Sequence, residues 1–179
     1  MKALHCLISF ALLVALPQPG NAASAAEIND AVNAKLRSFV AQNPSARELG
    51  RKAAGVLVFP FVIKGGFAVG GEYGEGVLIV KGKAAGYYNI ISASFGFQLG
   101  VQSRSVIIMF MTEEALAGFR NAYGWKVGVD GSIVVVTVGA GGAIDTDTLT
   151  SPVIAFIFDQ QGLMYNLSLE GSKISRISR

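Results

Sequence analysis

The side chains that most often perform catalysis are rare in this sequence. Its 179 residues include one histidine and one cysteine, which are neighbours at His5 and Cys6. Both lie in a segment with the pattern of a secretory signal, because Lys2 precedes an apolar run over 7–16 and small residues follow it. That run is too short for a bilayer-spanning helix, which needs about 20 apolar residues. We therefore predict that residues 1–22 are a signal peptide.

The predicted cleavage site follows Ala22, with Ala25 as the second choice, because small residues precede both positions. A mature chain that begins after either site contains no histidine and no cysteine. Disulfides, thiolate nucleophiles, imidazole acid–base catalysis and Cys/His metal sites are then excluded. Carboxylate, hydroxyl, lysine and arginine chemistry remains, or binding without chemistry, and we expect no cofactor and no metal.

The carboxylates need separate consideration, because a glycosidase requires only two acids at a fixed separation. Most acids of this chain fall at predicted turns or in the first turn of a helix, where they have structural roles. Asp145 and Asp147 have the spacing of cation ligands, but the calcium-loop pattern is absent. A carboxylate-based hydrolase is therefore the least favoured alternative. The acids considered are Glu72, Glu75, Glu113, Glu114, Asp130, Asp145, Asp147, Asp159 and Glu170.

The glycine-rich stretches do not follow the patterns of nucleotide-binding loops. The stretch 139–143 follows an apolar run, but Ile144 occupies the place of the third small residue of a dinucleotide loop. No Gly-Lys-Ser/Thr tripeptide of a phosphate loop occurs in the sequence. We therefore expect the 22 glycines at bulges, bends and close strand contacts. A net charge of +3 does not indicate nucleic acid, so we expect neither nucleotide nor nucleic acid as a partner.

Two helices are predicted at the start of the mature chain. Apolar residues recur at helical spacing over 26–41, and the Asn-Pro pair that follows ends this amphipathic helix. Ser45 and Glu48 then have the spacing of a capping box, in which each side chain bonds the other residue's backbone amide. The second helix is expected to begin there, run to Ala54 and stop at Gly55.

Basic residues on these two helices are the strongest candidates for a binding site. Amphipathic helices with basic residues can lie on an anionic membrane surface. The alternative is an ordinary solvated outer face, which we favour for an isolated helix of this kind. Two apolar residues of the first helix are candidates for insertion between lipids. The candidate lipid-binding residues are Lys35, Arg37, Phe39, Val40, Arg47, Arg51, Lys52 and Lys64.

Short apolar runs separated by glycines predict strands in the next part of the chain. The run 56–59 is expected to end at Pro60, since proline cannot donate a hydrogen bond to a central strand. A glycine-rich, strand-like segment follows it. The segment 74–76 is predicted to be a turn, and 77–80 the next strand.

The clearest alternation in the sequence lies over 91–102, where six apolar residues alternate with serine, glycine and glutamine. This pattern predicts one long, twisted, antiparallel strand with a dry apolar face and a wet polar face. Water is the default neighbour of the polar face, and a polar groove is the alternative. The polar side chains of this face are Ser92, Ser94, Gln98 and Gln102.

The remaining segments predict an α+β fold. The run 106–111 is apolar throughout and is expected to form a central strand, and Thr112 begins a short helix near 112–122. Further strands are predicted at 132–138, 153–158 and 163–169, with a basic tail at 173–179. We predict one domain over 23–179, with N-terminal amphipathic helices packed on a large, twisted, mainly antiparallel sheet or half-barrel.

A set of motifs runs along the chain from about residue 26 to 177. The first group is Gly55-Val-Leu-Val-Phe-Pro60, Val62-Ile-Lys64-Gly-Gly-Phe67, Gly71-Glu-Tyr-Gly74 and Gly76-Val-Leu78. The second group is Gly128-Val-Asp-Gly131, Gly139-Ala-Gly-Gly142, Asp145-Thr with Thr148-Leu149, Pro152-Val-Ile-Ala-Phe156, Gly162-Leu163 and Ser168-Leu-Glu-Gly-Ser-Lys173. Together these motifs resemble the SYLF domain family, also called the Ysc-type actin-binding domain.

The resemblance implies a non-enzymatic lipid-binding domain, whose eukaryotic relatives bind phosphoinositides and in some cases bundle actin. The N-terminal helix of those relatives is lysine-rich and contributes to lipid contact. The matching segment here, 27–40, carries only Lys35 and Arg37 as basic residues. The resemblance and the signal pattern together suggest an exported version of the domain without additional modules.

We therefore expect a non-catalytic protein of the periplasm or the cell exterior that binds anionic, phosphoinositide-like lipid headgroups at a membrane surface. Actin is not an expected partner, because an exported protein of bacterial type does not meet it. The alternative is an envelope scaffold that binds protein or glycan through its sheet face.

Overall fold

Three helices and eight strands are formed by the residues that the computed structural model describes, which are 23–67, 69–95, 100–138, 150–162 and 168–179. The helices are α1 (Ala25–Gln42), α2 (Pro44–Lys52) and α3 (Glu113–Asn121). The strands are β1 (Gly55–Phe67), β2 (Val69–Val80), β3 (Lys83–Phe95), β4 (Gly100–Phe110), β5 (Trp125–Lys126), β6 (Val134–Thr137), β7 (Val153–Gln161) and β8 (Lys173–Ile177).

Several predictions from the sequence fall on residues outside these described ranges. They concern the signal peptide over 1–22, the glycine stretch 139–143, the acids Asp145 and Asp147, and most of the strand predicted at 163–169. They stay predictions, as does the extent of the single domain.

All eight described strands belong to one sheet in the order β5-β8-β3-β2-β1-β4-β7-β6. The described pairs are antiparallel except β6 with β7, and the sheet curls into a half-barrel. The predicted α+β class, with N-terminal helices on a mainly antiparallel sheet, is therefore confirmed. Among the described residues, no helix combines the length and the apolar character that crossing a membrane requires.

The sheet buries apolar side chains on both of its faces. On the inner face, Leu57, Leu78 and Ile108 pack in one core that includes residues of α3. On the outer face, Val58 and Ile107 pack in a second core that includes residues of α1 and α2. The central strands thus alternate between two dry environments, which explains why the run 106–111 is apolar throughout.

Helix α1 forms where the periodicity predicted it and packs on the outer face. Ser24 caps it in a reciprocal capping box with Glu27, which stabilises its first turn. Near its other end, the ring of Phe39 lies 5.3 Å from that of Phe156 and 4.7 Å from that of Phe158, measured between centroids. These contacts fix α1 against β7 as well as β1 and β2.

The start of α2 differs from the prediction. The helix begins at Pro44, and its N-cap Asn43 makes no side-chain capping bond. Proline is favoured in the first turn because its missing N–H has no partner there in any helix. The predicted capping box between Ser45 and Glu48 is therefore wrong, and Glu48 instead pairs with Arg51 at 3.0 Å.

Strand β1 continues through Pro60, so the predicted end at this residue is also wrong. The pairing register with β2 shifts between Val58 and Phe61, which leaves two residues of β1 opposite one residue of β2. This bulge accommodates a proline within a central strand. The carbonyl of Pro60 accepts a hydrogen bond of 2.8 Å from the Ser105 hydroxyl of β4. Because of this extra residue, the side chains that follow the bulge lie on the opposite face of the sheet from the one that strict alternation would give them.

The segment 74–76 lies inside β2 and is not a turn. Gly74 and Gly76 face the bulge of β1, where the two backbones approach closely. A Cβ at Gly76 would lie 2.1 Å from the carbonyl oxygen of Val58, and one at Gly74 would lie 2.7 Å from that of Phe61. Glycine is therefore required by the close strand contact.

The alternating segment 91–102 is not one strand. Its two ends belong to β3 and β4, which run in opposite directions on either side of the β1–β2 hairpin. The predicted faces are reversed as well, since Val101 is 69% exposed while Gln102 is buried. At this end of the sheet, the outer face extends beyond the cover of α1, so apolar residues meet solvent there.

The short helix is confirmed as α3, and the Thr112 hydroxyl accepts a hydrogen bond from the Ala115 amide. The basic tail, by contrast, is largely a strand. Residues Lys173–Ile177 form β8, which pairs with β3 and β5, because Ile174 packs in the inner core. The C-terminal segment therefore belongs to the sheet.

Substituting Gly76 with alanine should destabilise the protein by about 3 kcal/mol, because a Cβ cannot fit against the Val58 carbonyl without moving the bulge. Urea unfolding followed by circular dichroism measures this change. Gly118→Ala is the matched control, since this helical glycine has open space around its Cβ position, and it should stabilise the protein by about 0.5 kcal/mol. Equal stability of the two variants would refute the close contact.

Candidate functional site

A groove of about 520 Å³ lies between α1, α2 and the outer face of the sheet, and we call it the basic groove. Its floor is apolar and includes Leu36, Val56, Ile79 and Met109. None of the described residues that line it is acidic. The lining residues are Asn33, Leu36, Arg37, Val40, Ala46, Arg47, Gly50, Arg51, Ala53, Ala54, Val56, Ile79, Lys81, Gly82 and Met109.

Four cationic side chains line this groove. Arg37 extends from α1, Arg47 and Arg51 extend from one side of α2, and Lys81 lies in the turn between β2 and β3. Arg47 also donates a 3.0 Å hydrogen bond to the Val40 carbonyl, which ties α2 to the end of α1. The Arg51 guanidinium also pairs with Glu48 at 3.0 Å, but both side chains are exposed, so solvent screens this pair. The groove therefore presents positive charge above an apolar floor.

Lys81 is not among the site residues predicted from the sequence. It has a left-handed backbone conformation, with φ of 51°, beside Gly82 in the tight β2–β3 turn. Only the packing of α2 over the outer face brings this turn to the groove. Sequence spacing contains no signal for that proximity.

The predicted lipid-binding residues are divided between different surroundings. Arg37, Val40, Arg47 and Arg51 line the basic groove, whereas exposed Lys52 lies outside its lining. Lipid contact by these five residues stays a prediction.

Lys35 faces away from the basic groove. It forms an ion pair of 2.7 Å with Asp159, and its ammonium lies 5.0 Å from the centroid of the Phe61 ring. These contacts attach α1 to the sheet and leave less of the charge available to a ligand.

Two of the predicted residues, Phe39 and Lys64, are not on the surface. Phe39 is 1% exposed between aromatic rings of β7, so the expectation that it inserts between lipids is corrected: its helical face is the one that packs on the sheet. Lys64 is 9% exposed on the inner face, because the bulge before it reverses the alternation of β1. A surface contact with lipid is therefore not available to either side chain in this structure.

Lys64 belongs to a row of polar residues that crosses four strands on the inner face. The strand register places Gln102, Lys64, Glu72 and Ser92 side by side. Arg104, next on this face of β4, binds Glu72 through Nη2, at 2.7 Å from Oε1 and 2.8 Å from Oε2. The predicted wet face thus includes side chains in the protein interior.

The Arg104–Glu72 pair is almost completely buried, and Arg104 also donates hydrogen bonds of 3.4 Å to the Ser168 carbonyl. It connects β4, β2 and the segment that leads into β8. Its Nε has no hydrogen-bond partner among the described residues. Removing a charge from water costs free energy, and in this pair the attraction between the two opposite charges offsets that cost.

A second groove, of about 720 Å³, lies at the opposite end of α1, and we call it the acidic groove. Its apolar walls include Ile28, Phe61 and Ile63. Among the described residues, two acids, Glu27 and Glu75, line it together with one base, Arg179.

Glu75 of the acidic groove is the centre of a polar cluster. Arg179 donates to both of its carboxylate oxygens, with Nε 3.2 Å from Oε2, and the Tyr73 hydroxyl donates to Oε1 at 2.5 Å. Partial burial opposes the ionisation of Glu75, but these donors outweigh it and lower the pKa of its carboxyl group. Burial and the adjacent carboxylate raise the pKa of Tyr73.

Several other described acids occupy structural positions. Asp130 accepts a hydrogen bond from the Lys126 amide, and Glu113 and Glu114 occupy the first turn of α3. Within the described ranges, no three metal-ligating side chains come together. These arrangements supply no observation that favours the hydrolase alternative.

Removing one partner of the buried pair should be strongly destabilising. Glu72→Leu leaves the Arg104 charge buried without compensation and should cost about 3–5 kcal/mol of unfolding free energy in urea. The double variant Glu72→Leu/Arg104→Met removes both charges and should recover most of that loss. Additive effects of the two single substitutions would contradict direct coupling between the side chains.

Comparison with known proteins supports the family resemblance. A family model described as "Ysc84: Las17-binding protein actin regulator" matches residues 91–178. A search of curated proteins gives no match. The matched range extends from the end of β3 to just beyond β8 and includes the second group of motifs noted in the sequence. Residues 91–178 therefore match the Ysc84 family, whose domain is also called SYLF, and this match supports the resemblance noted in the sequence.

Proposed function

We propose that this protein is a non-catalytic, lipid-binding member of its family that holds anionic lipid headgroups in the basic groove. The observation that carries the proposal is the combination of four cationic side chains with an apolar floor in a groove without an acidic lining residue among those described. This combination matches an amphiphile with a negatively charged head and an apolar body.

The cationic rim suits a phosphate group in particular. Guanidinium groups bind phosphate oxygens through two parallel hydrogen bonds, and Arg37, Arg47 and Arg51 approach the groove from two helices. Lys81 adds a compact positive charge from the opposite, sheet side of the groove. A headgroup between them would be surrounded by cations.

The floor suits the apolar part of a lipid next to its headgroup. Leu36 and Val40 of α1 face Ile79 and Met109 of the sheet across the groove. A volume of about 520 Å³ is in the range of small-ligand sites, and it would hold a headgroup with the first part of an acyl chain.

Phosphoinositide-like headgroups are included in the proposal because of the family resemblance, and other anionic phospholipids have the same phosphate chemistry. We propose an envelope location, in the periplasm or outside the cell, on the basis of the predicted signal peptide over 1–22. Actin is not part of the proposal, since an exported chain would not meet it.

An envelope scaffold is the second candidate function. A strip of exposed apolar residues on the outer face, beyond the N-terminal end of α1, favours it. Ile63, Tyr73 and Ile91 are adjacent across three strands within this strip. The strip consists of Phe61, Ile63, Tyr73, Ile91 and Val101.

Reversing the charge of Arg47 and Arg51 together should weaken binding to anionic vesicles by at least about 30-fold. Each basic residue near an anionic surface contributes about 1 kcal/mol, so loss of the two attractions accounts for this factor, and the introduced acids add repulsion. Co-sedimentation of the purified protein with phosphatidylglycerol-containing vesicles measures the change, and raised salt should weaken the wild-type interaction.

The matched control is Arg120→Glu/Lys126→Glu, which makes the same change in net charge at exposed sites outside the groove lining. This control should retain near wild-type binding. Equal losses in the two double variants would indicate general electrostatic attraction, and equal recovery with neutral phosphatidylcholine vesicles would refute the proposal.

A further inference from the structure

The acidic groove has a charge pattern opposite to that of the basic groove. Its lining includes the acids Glu27 and Glu75, while Arg179 is its only basic lining residue among those described. That arginine belongs to the two residues that follow β8. Without Arg179, the groove would present negative charge and apolar walls.

The position of Arg179 shows which chemistry the groove accommodates. Its guanidinium is held by both carboxylate oxygens of Glu75, while the Tyr73 hydroxyl orients one of those oxygens. The paired side chains of Arg179 and Glu75 are only 18% and 12% exposed. The groove therefore contains a partly desolvated site for a guanidinium group, and the chain's own arginine occupies it.

The walls beside this site provide room for an apolar neighbour of the arginine. Ile28 and Ala31 of α1 face Phe61 and Ile63 of β1 across the groove. Phe61 and Ile63 remain more than half exposed, so the groove volume of about 720 Å³ is not filled by Arg179. Exposed apolar surface next to a specific polar site is typical of peptide-binding grooves.

We propose that the acidic groove binds an extended segment of a partner protein that carries an arginine two residues after an aliphatic residue, so that both side chains point to the same side, and that Arg179 occupies the same site in its absence. The arginine of the partner would pair with Glu75, and the aliphatic side chain of the partner would pack against the exposed Phe61 and Ile63. This inference is independent of lipid binding and gives a specific form to the scaffold alternative.

Competition by Arg179 follows from where it lies in the chain. Strand pairing with β3 ends at Ile177, and only Ser178 separates that strand from the arginine. The side chain can leave Glu75 without breaking the pairing of β8. A tethered occupant of this kind lowers the apparent affinity for any external ligand by the fraction of time that it fills the site.

The test uses Arg179→Ala in the full chain and the tripeptide acetyl-Ile-Ser-Arg-amide, which has the sequence of residues 177–179. Nuclear magnetic resonance titration should show saturable shifts near Phe61, Ile63 and Tyr73. The variant should bind at least about 10-fold more tightly than the wild-type protein, as expected for release of a charge-assisted pair. The citrulline analogue, which lacks the positive charge, should bind about 10-fold more weakly than the arginine peptide.

The double variant Glu75→Gln/Arg179→Ala is the matched control, because glutamine keeps the shape of the site and removes its charge. Thermal unfolding should show that both variants fold, and the double variant should lose the selectivity for arginine over citrulline. Absence of saturable binding to folded Arg179→Ala would overturn the proposal and leave Arg179 as a purely structural latch. Dimerisation of that variant in sedimentation with peptide-independent shifts would also overturn it, because a second copy would then be the occupant.

Discussion

The packing of α1 on the outer face of the sheet is the interaction on which both grooves depend. Ile28, Val32 and Phe39 fix this helix over the central strands, with Phe39 held between two aromatic rings of β7. Because the helix covers only part of the face, space remains at each of its ends. The C-terminal end, together with α2, forms the basic groove, and the N-terminal end forms the acidic groove. One packed helix therefore separates two sites of opposite charge.

The bulge at Pro60 determines what the two faces present next to this helix. One extra residue in β1 turns Phe61 and Ile63 to the outer surface and Lys64 to the interior. On the inner face, Lys64 lies beside Glu72 and Gln102 of the neighbouring strands, and Glu72 pairs with Arg104. Gly74 and Gly76 permit the close approach that the bulge imposes. Gly74, Gly76 and the buried ion pair are thus parts of one structural arrangement that connects the sheet to the C-terminal segment.

The sequence was sufficient for the fold class, for α1 and α3, and for the basic character of α2, because periodicity and capping are local properties. The sequence was insufficient where the conformation of one strand depends on its contact with a neighbouring strand. Pro60 and the glycines at 74–76 have the composition of chain breaks, and only their mutual contact makes them part of long strands. The same applies to the site: Arg47 and Arg51 were recognisable from helical spacing, whereas Lys81 joins them only through tertiary packing. Lys64 was expected on the surface, but the bulge in β1 turns its side chain to the inner face. Phe39 was expected on the surface, but it packs against β7. Both effects depend on contacts between distant parts of the chain.

The most direct test of the central claim is to locate a bound anionic lipid on the protein. Dihexanoyl phosphatidylglycerol, a short-chain lipid, can be titrated below its micelle concentration while backbone amide resonances are followed. We expect saturable shifts at Ala46, Gly50 and Gly82, which line the basic groove, and much weaker shifts with dihexanoyl phosphatidylcholine. Equal responses to the two lipids, or shifts confined to residues outside this groove, would contradict the binding of anionic lipid in the basic groove.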